Sequence, residues 1–431
     1  MGGLFIIVDD NDKKRKKGEE RWAHKRIDWK LHVQKLLHEK MFHKEYRMPH
    51  AAFVYLCIIL GPAVTRNHSM SESEEPITVE ITVACGLRIL AGGTQPDQKH
   101  IFGLSKTEVH RTFRRFLRAV NDVTELEIKL PATPDEWEKV RYAFEKKSRN
   151  SLFDGCVGAI DGFFQPTTCP TVKEVGGNVV AYYSGHYESY GLNCQAACDA
   201  NLRFHFFGVV GPGKTNDNVA FPRCGILYDK VNKLPIGLYF LGDAAYTLSD
   251  TLLIPFTGSQ RDDVDNDAYN FYLSQLRIRI EMAFGRLVRK WGILKKNMAY
   301  KLAKTSLILQ VCAKLHNFVI DWQLLQKSLR TNDNEVNDDE GDDDEDNNDL
   351  HIVSDITAPS GMRYLPTLPQ DDYEVLEGVS TTRIVVVEKI KEMKYRRPKY
   401  NTVRNNRQAI PTNDNVVVDG HVVDELMYHP T

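Results

Sequence analysis

What this 431-residue chain lacks narrows its class first. No apolar run approaches the ~20 residues that a bilayer-crossing helix needs, so no membrane is expected among its partners. No two of its eight cysteines form a CxxC pair; Cys57, Cys85, Cys156, Cys169, Cys194, Cys198, Cys224 and Cys312 are scattered. A zinc module needs closely spaced ligands, so reduced and mostly buried thiols in an intracellular protein are expected instead. The opening MGGLFIIVDDNDKKRKK places its charges after a short apolar patch, whereas a secretory signal places them before, so none is read here. There is no internal repeat. Basic residues are absent from residues 333–349, DNEVNDDEGDDDEDNND, which hold 11 acidic residues. Setting those aside leaves 47 of the 58 acidic residues against 56 basic ones, so a net charge of −2 becomes +9. A basic body with an acidic run suits a polyanionic partner, with the run either masking that body or keeping the chain soluble.

The length suits two or three domains, and 42% apolar residues supply a large core. Residues 1–25 read as a flexible basic N-terminus, in which Lys13–Lys17 is either a nuclear localisation signal or a solvated charge run. Residues 26–150 read as a helical domain. In FGLSKTEVHRTFRRFLRAVN, Ser105 and Glu108 have capping-box spacing, and Val109, Phe113, Phe116, Leu117 and Val120 form one apolar face. Lys106, His110, Arg111, Arg114, Arg115 and Arg118 occupy the rest. A preceding helix around ITVACGLRILAGG ends at Gly92 and Gly93, which gives a helix-turn-helix outline. The basic residues are then candidate DNA contacts; an ordinary amphipathic surface helix would look the same. Thr133, Pro134 and Glu136 start another helix.

From residue 151 the texture changes. CVGAIDGFFQP reads as a strand, LNCQAACD and LRFHFFGVVGPG as a hairpin, NDNVAFPRCGILYDKV as a helix and LYFLGDAAY as another strand. A long helix follows over DAYNFYLSQLRIRIEMAFGRLVRKWGILKK. This order predicts a mixed α/β unit with a central sheet over 151–325. Residues 326–431 read as a mostly disordered tail, with the acidic run followed by the basic cluster KYRRPKYNTVRNNR at 394–407.

Two aspartates interrupt this pattern. Asp161 and Asp243 each end an apolar, strand-like run and sit beside a glycine. Each alone is an ordinary turn former; on neighbouring strands the two would converge. Glu281 lies one position off the stripe marked by Ile280 and Phe284, and would flank them, or would pair with Arg277 at i−4. Three converging carboxylates repel one another, and a divalent cation resolves the conflict. Oxygen ligands select hard ions such as Mg²⁺ or Mn²⁺. Two such ions ~3.5–4 Å apart can activate a water or 3′-hydroxyl on a phosphodiester and stabilise the leaving oxygen.

The chain resembles the DDE transposases of the PIF/Harbinger superfamily and their domesticated, nuclease-like relatives. The resemblance rests on ordered motifs over roughly residues 40–320: Tyr46-Arg47-Met48, GAIDGFFQP with Asp161, PGKTNDN with Asp217, LGDAAY with Asp243 and Tyr246, RIRIEMAFGRL with Arg277, Glu281 and Gly285, and Leu315-His316-Asn317. It implies an RNase H-like mixed-sheet core behind a helical N-terminal domain, with Asp161, Asp243 and Glu281 as catalytic metal ligands. It further implies two divalent metals, Mg²⁺ or Mn²⁺, and strand cleavage and transfer at transposon terminal repeats. A Myb-like protein partner and a nuclear, or also cytoplasmic, location are expected on the same ground. Tyr246 and Arg277 are candidate supporting residues. Asp217 is read as a helix cap rather than a ligand. The chain departs from the family pattern at Phe163-Phe164, Ala244-Ala245 and Val288. Those changes keep open a catalytically silent DNA- or protein-binding module, and an RNA-cleaving enzyme of the same fold would share the chemistry.

Overall fold

The computed structural model describes residues 25–65, 77–333 and 380–398. Lys13–Lys17, nearly all of the acidic run at 333–349 and most of the basic cluster at 394–407 lie outside the described residues.

Helices α1 (Trp29–His38), α2 (Phe42–Tyr46), α3 (His50–Val64), α4 (Val79–Leu90), α5 (Gln95–Phe102) and α6 (Lys106–Asp122) come first. The capping box at the start of α6 forms as expected: the Ser105 hydroxyl accepts from the Glu108 amide, and the Glu108 carboxylate accepts from the Ser105 amide. Arg26 anchors that carboxylate from the far end of the helical region. One correction concerns the helix-turn-helix outline. α4 does not lead directly to α6; α5 stands between them, with its own capping box at Thr94 and a left-handed Gly103 at its end. The turn that enters the basic helix is therefore Gly103–Ser105. α5 is short and polar, and only Gln98 and Phe102 are buried in it, so it has little apolar periodicity to reveal it.

Helix α7 (Pro134–Glu145) leads into a six-stranded mixed sheet. Strand β1 (Cys156–Pro166) is central. It pairs antiparallel with β3 (Ser189–Cys198), whose other edge carries β2 (Tyr183–Ser184) and then β4 (Phe204–Pro212). On its second edge β1 pairs parallel with β5 (Tyr239–Leu241), and β5 with β6 (Leu252–Leu253). Between β4 and β5 the expected single helix is broken into α8 (Asp217–Ala220), a 3₁₀ turn over Phe221–Cys224, and α9 (Ile226–Asn232). Pro222 lacks an N–H, and Gly225 has φ of 35°, so the helix cannot run straight through. The mixed α/β architecture, with helices on both sheet faces and a helical N-terminal region, is the one expected of an RNase H-like core.

Each face of the sheet has its own core. On one side, Ala159, Cys194, Ala196 and Cys198 pack with α1 to α6 and with α11 (Leu302–Asp333). On the other, Val157, Ile160 and Ala197 pack with α7 and α9 and with α12 (Thr381–Glu392). The long helix α10 (Val264–Lys290) belongs to both: Tyr269, Tyr272, Leu273 and Leu276 lie in the second core, and Ile280, Phe284, Leu287 and Val288 in the first. The seam between helical region and sheet is thereby closed. The Lys290 ammonium donates to the Arg47 carbonyl at 3.1 Å, and Gly92 and Gly292 pass backbone to backbone. Tyr46 and Met48 of the Tyr-Arg-Met motif are fully buried on the helical side of that seam.

Two features depart from the reading of residues 326–431 as tail. α11 continues to Asp333, and α12 returns to the body, burying Val386, Val387 and Ile390. Asp250 accepts from the Ser380 and Thr381 hydroxyls and the Thr382 amide at the start of α12. All eight cysteines are free and seven are buried, Cys169 being exposed. Among the described residues no helix is long and apolar enough to cross a membrane.

Candidate active site

Asp161 was expected at a strand end, but β1 runs five residues past it, paired with β3 alone. What ends near Asp161 is the neighbour. β5 stops at Leu241, opposite Ala159, and leaves that edge of β1 without a strand partner beside Asp161, until Met298 bonds Pro166 and Thr168. Burial falls from complete at Ile160 to partial at Asp161 for this reason. Asp243 follows two residues after the last residue of β5, as the Gly-Asp pattern suggests. Its Oδ1 accepts from the Ala245 amide at 2.9 Å, and Asp161 Oδ1 accepts from the Gly162 amide at 2.8 Å.

The third acid of the cluster is Asp217, and its expected role as a helix cap is corrected. The cap of α8 is Asn216, whose side chain accepts from the Val219 amide. Asp217 stands one residue later and turns its carboxylate inward. One carboxylate oxygen from each of Asp161, Asp217 and Asp243 lies within 4.8 Å of the others. Gly162 makes this approach possible, because a Cβ built there would overlap the Asp217 carboxylate.

Asp217 is held from β3. Gln195 Nε2 donates to its Oδ1 at 2.6 Å and Asn193 Nδ2 at 3.4 Å; Asn193 also donates to the Thr215 carbonyl at 2.9 Å. The buried Tyr246 hydroxyl donates to Gln195 Oε1 at 2.7 Å and so fixes the amide's orientation. Gln195 and Asn193 were missed from sequence. Their signal was there: two amides at i and i+2 in the otherwise apolar LNCQAAC place two polar groups on one face of a buried strand.

Glu281 does not join the cluster. It pairs with Arg277 at 2.7 Å, and its side chain is 42% exposed against 18% for Asp161. Arg277 also faces Asp161 at 3.8 Å.

Electrostatics record the crowding. Burial, and then the charge of Asp243, hold the Asp161 carboxyl well above the usual range, while Arg277 pulls it back. Burial, reinforced by Asp217, pushes Asp243 up to about 6. Burial raises Asp217 too, against the donors Asn193 and Gln195. Burial disfavours the Arg277 charge, but Glu281, Asp161 and Asp243 together raise its pKa. Burial keeps the Tyr246 hydroxyl protonated.

The Leu-His-Asn motif serves another purpose. Asn317 accepts from the Phe204 amide and donates to its carbonyl, both at 2.8 Å, so a side chain mimics strand pairing to β4. His316 Nε2 bonds the Leu202 carbonyl at 2.8 Å, and burial drops its pKa to about 3. Together they pin α11 to the β3–β4 hairpin. On α6, Lys106, His110, Arg111, Arg114 and Arg118 are exposed and Arg115 is partly buried. Lys304 of α11 adds to that basic face; its charge, with that of Lys106, reinforces the lowering of the His110 pKa by burial. At the positions that depart from the family pattern, Val288 is buried and Phe163 packs against Phe207 and Phe284.

Residues 160–317 match a family model described as DDE superfamily endonuclease. The match opens one residue before Asp161, closes on Asn317 and encloses Asp161, Asp217, Asp243 and Glu281, so over this segment the chain is similar to the DDE superfamily endonucleases. No curated protein and no solved structure matched the chain.

Proposed function

We propose that this protein is a divalent-metal-dependent DNA nuclease or transposase of the PIF/Harbinger type, acting on phosphodiester bonds in the nucleus. The observation that carries the reading is the convergence of Asp161, Asp217 and Asp243 inside the matched segment. The donor set fits Mg²⁺ or Mn²⁺: it is all carboxylate oxygen, without thiolate or imidazole, and its members resist ionising together. Asp161, Asp217 and Asp243 would hold the ions, with Glu281 as a further carboxylate on release from Arg277. Such ions, when bound, polarise a phosphoryl oxygen and activate the attacking hydroxyl.

The chain's own residues do the rest. The Gly162 and Ala245 amides orient Asp161 and Asp243. Gln195, set by Tyr246, aims Asp217. Arg277 places a positive charge beside the acids, where an anionic phosphate would come. The basic face of α6 is suited to the phosphates of a bound duplex, such as a transposon terminal repeat, and a Myb-like partner would supply sequence recognition.

The Arg277–Glu281 pair favours a second reading, a catalytically silent DNA- or protein-binding module, because it withdraws the third acid of the DDE set. Calorimetric titration with Mn²⁺ separates the two. Residues 333–349 are deleted from parent and from Asp161→Asn/Asp243→Asn, since that run would bind cations itself. Saturable binding lost in the variant, together with Mg²⁺-dependent nicking of supercoiled DNA lost in Asp243→Asn, is the expected result. Equal weak binding in both and no nicking would overturn the enzyme reading.

A further inference from the structure

Beside the acids lies a feature that cation binding does not use. Phe164, three residues after Asp161, leaves β1 on the same face as Gly162. Its ring lies across two glycines: a Cβ at Gly191 or at Gly213 would overlap it. Tyr187 stacks on this ring with centroids 4.3 Å apart and planes 7° from parallel. Tyr187 is 53% exposed, and the exposed His186 ring stands against it. Burying a ring on a glycine floor only to lay a second, half-exposed ring over it does little for the core. It builds a flat aromatic ledge at the surface.

The ledge continues into a cleft. Gly213 under Phe164 is followed by Lys214, whose amide donates to the Ala181 carbonyl at 3.1 Å. Asn178, Ala181, Lys214, Thr215, Asn216 and Arg223 line a cleft of ≈ 480 Å³. Its two charged residues, Lys214 and Arg223, are both basic and both exposed. Asn216, on its wall, immediately precedes Asp217. Aromatic ledge, cationic cleft and acid cluster therefore follow one another along the β4–α8 connection. A π face beside basic and amide groups is the combination that holds an unpaired nucleotide: the base stacks and the phosphates meet the cations. A duplex would keep its bases stacked inside and have no use for the ledge.

We propose that Tyr187 on Phe164, with Lys214 and Arg223, forms a subsite for a single-stranded stretch of the nucleic acid flanking the scissile phosphate. The inference rests on the nuclease reading for its orientation toward the acids, but not for the binding itself. The test is fluorescence anisotropy of a labelled 12-nucleotide single strand and the matching duplex against the full chain at several salt concentrations. Tyr187→Ala is expected to weaken the single strand roughly 10-fold and leave the duplex unchanged, while Tyr187→Phe retains parental affinity. Lys214→Ala/Arg223→Ala is expected to lower the salt slope for the single strand by roughly 1.4. Equal single-strand affinity in parent and Tyr187→Ala, equal losses for strand and duplex, or no strand binding by the parent at low salt would each overturn the proposal. Asp243→Asn serves as the independent arm. Loss of nicking there with retained Tyr187-dependent binding upholds both readings; absence of nicking in the parent with that binding intact removes the nuclease and leaves the subsite.

Discussion

The Tyr246 hydroxyl and the Asp217 carboxylate never touch, yet one controls the other: both bond the side-chain amide of Gln195, at 2.7 and 2.6 Å from its two ends. An ionised carboxylate can only accept, so Gln195 presents its NH₂ to Asp217 and leaves its oxygen to accept from the Tyr246 hydroxyl. Tyr246→Phe is expected to weaken Mn²⁺ binding roughly 10-fold, as loss of an outer-shell partner does, with a stability cost of about 1–2 kcal/mol for the unpaired amide oxygen. Calorimetry and urea denaturation on the same samples check it; unchanged affinity would remove Tyr246 from the site.

Asp243 gives the site a pH signature. Its folded pKa of about 6 lies above the ordinary 3.8, so ionisation is penalised in the folded state. Its contribution to stability is whole below pH 3.8 and is lost as pH rises through 6. In EDTA, Asp243→Asn is expected to be more stable than the parent by about 1–3 kcal/mol at pH 8 and nearly equal to it at pH 4. Urea midpoints across that range decide the matter. A variant less stable at pH 8 would contradict the crowding of the acids.

Gly162 is a space, and filling it has one consequence. Gly162→Ala puts a methyl where the Asp217 carboxylate lies. Mn²⁺ affinity is expected to fall at least about 10-fold, since a displaced ligand can no longer share the ion with Asp161 and Asp243. Circular dichroism distinguishes this from unfolding: the spectrum should match the parent's.

Asn317→Ala removes both bonds to Phe204 and leaves a buried amide and carbonyl unpaired. A loss of about 2–4 kcal/mol in denaturant stability is expected, with Mn²⁺ affinity per folded molecule unchanged. A selective loss of cation binding would move the Leu-His-Asn motif from scaffold to site.

Much of this was legible where one physical signal acted alone. The Ser105 and Thr133 capping boxes, the β3–β4 hairpin and the strand leading to Asp243 are local patterns, and the structure contains them. The position of Asp217 was not legible, because in NDN both Asn216 and Asp217 make good caps; only the tertiary demand for a carboxylate over Gly162 separates them. α5 escaped notice for want of apolar residues. α12 escaped because its burying face, Val386, Val387 and Ile390, is small and lies beyond a long acidic, Asn-rich stretch. Glu281 kept its local ion pair with Arg277, as the i−4 spacing allowed, and so stayed out of the cluster that the order of the motifs suggested.

α10 has one further consequence. Its first half is clamped by one core and its second half by the other, and Arg277 falls in the short span between the two grips. A helix held at both ends behaves as a stiff rod, so a repacking at Tyr269 or at Leu287 would displace that arginine along or about the rod's axis. Volume changes far from any acid, on either side of the sheet, would then retune the charge that Asp161 experiences without altering a single residue around it.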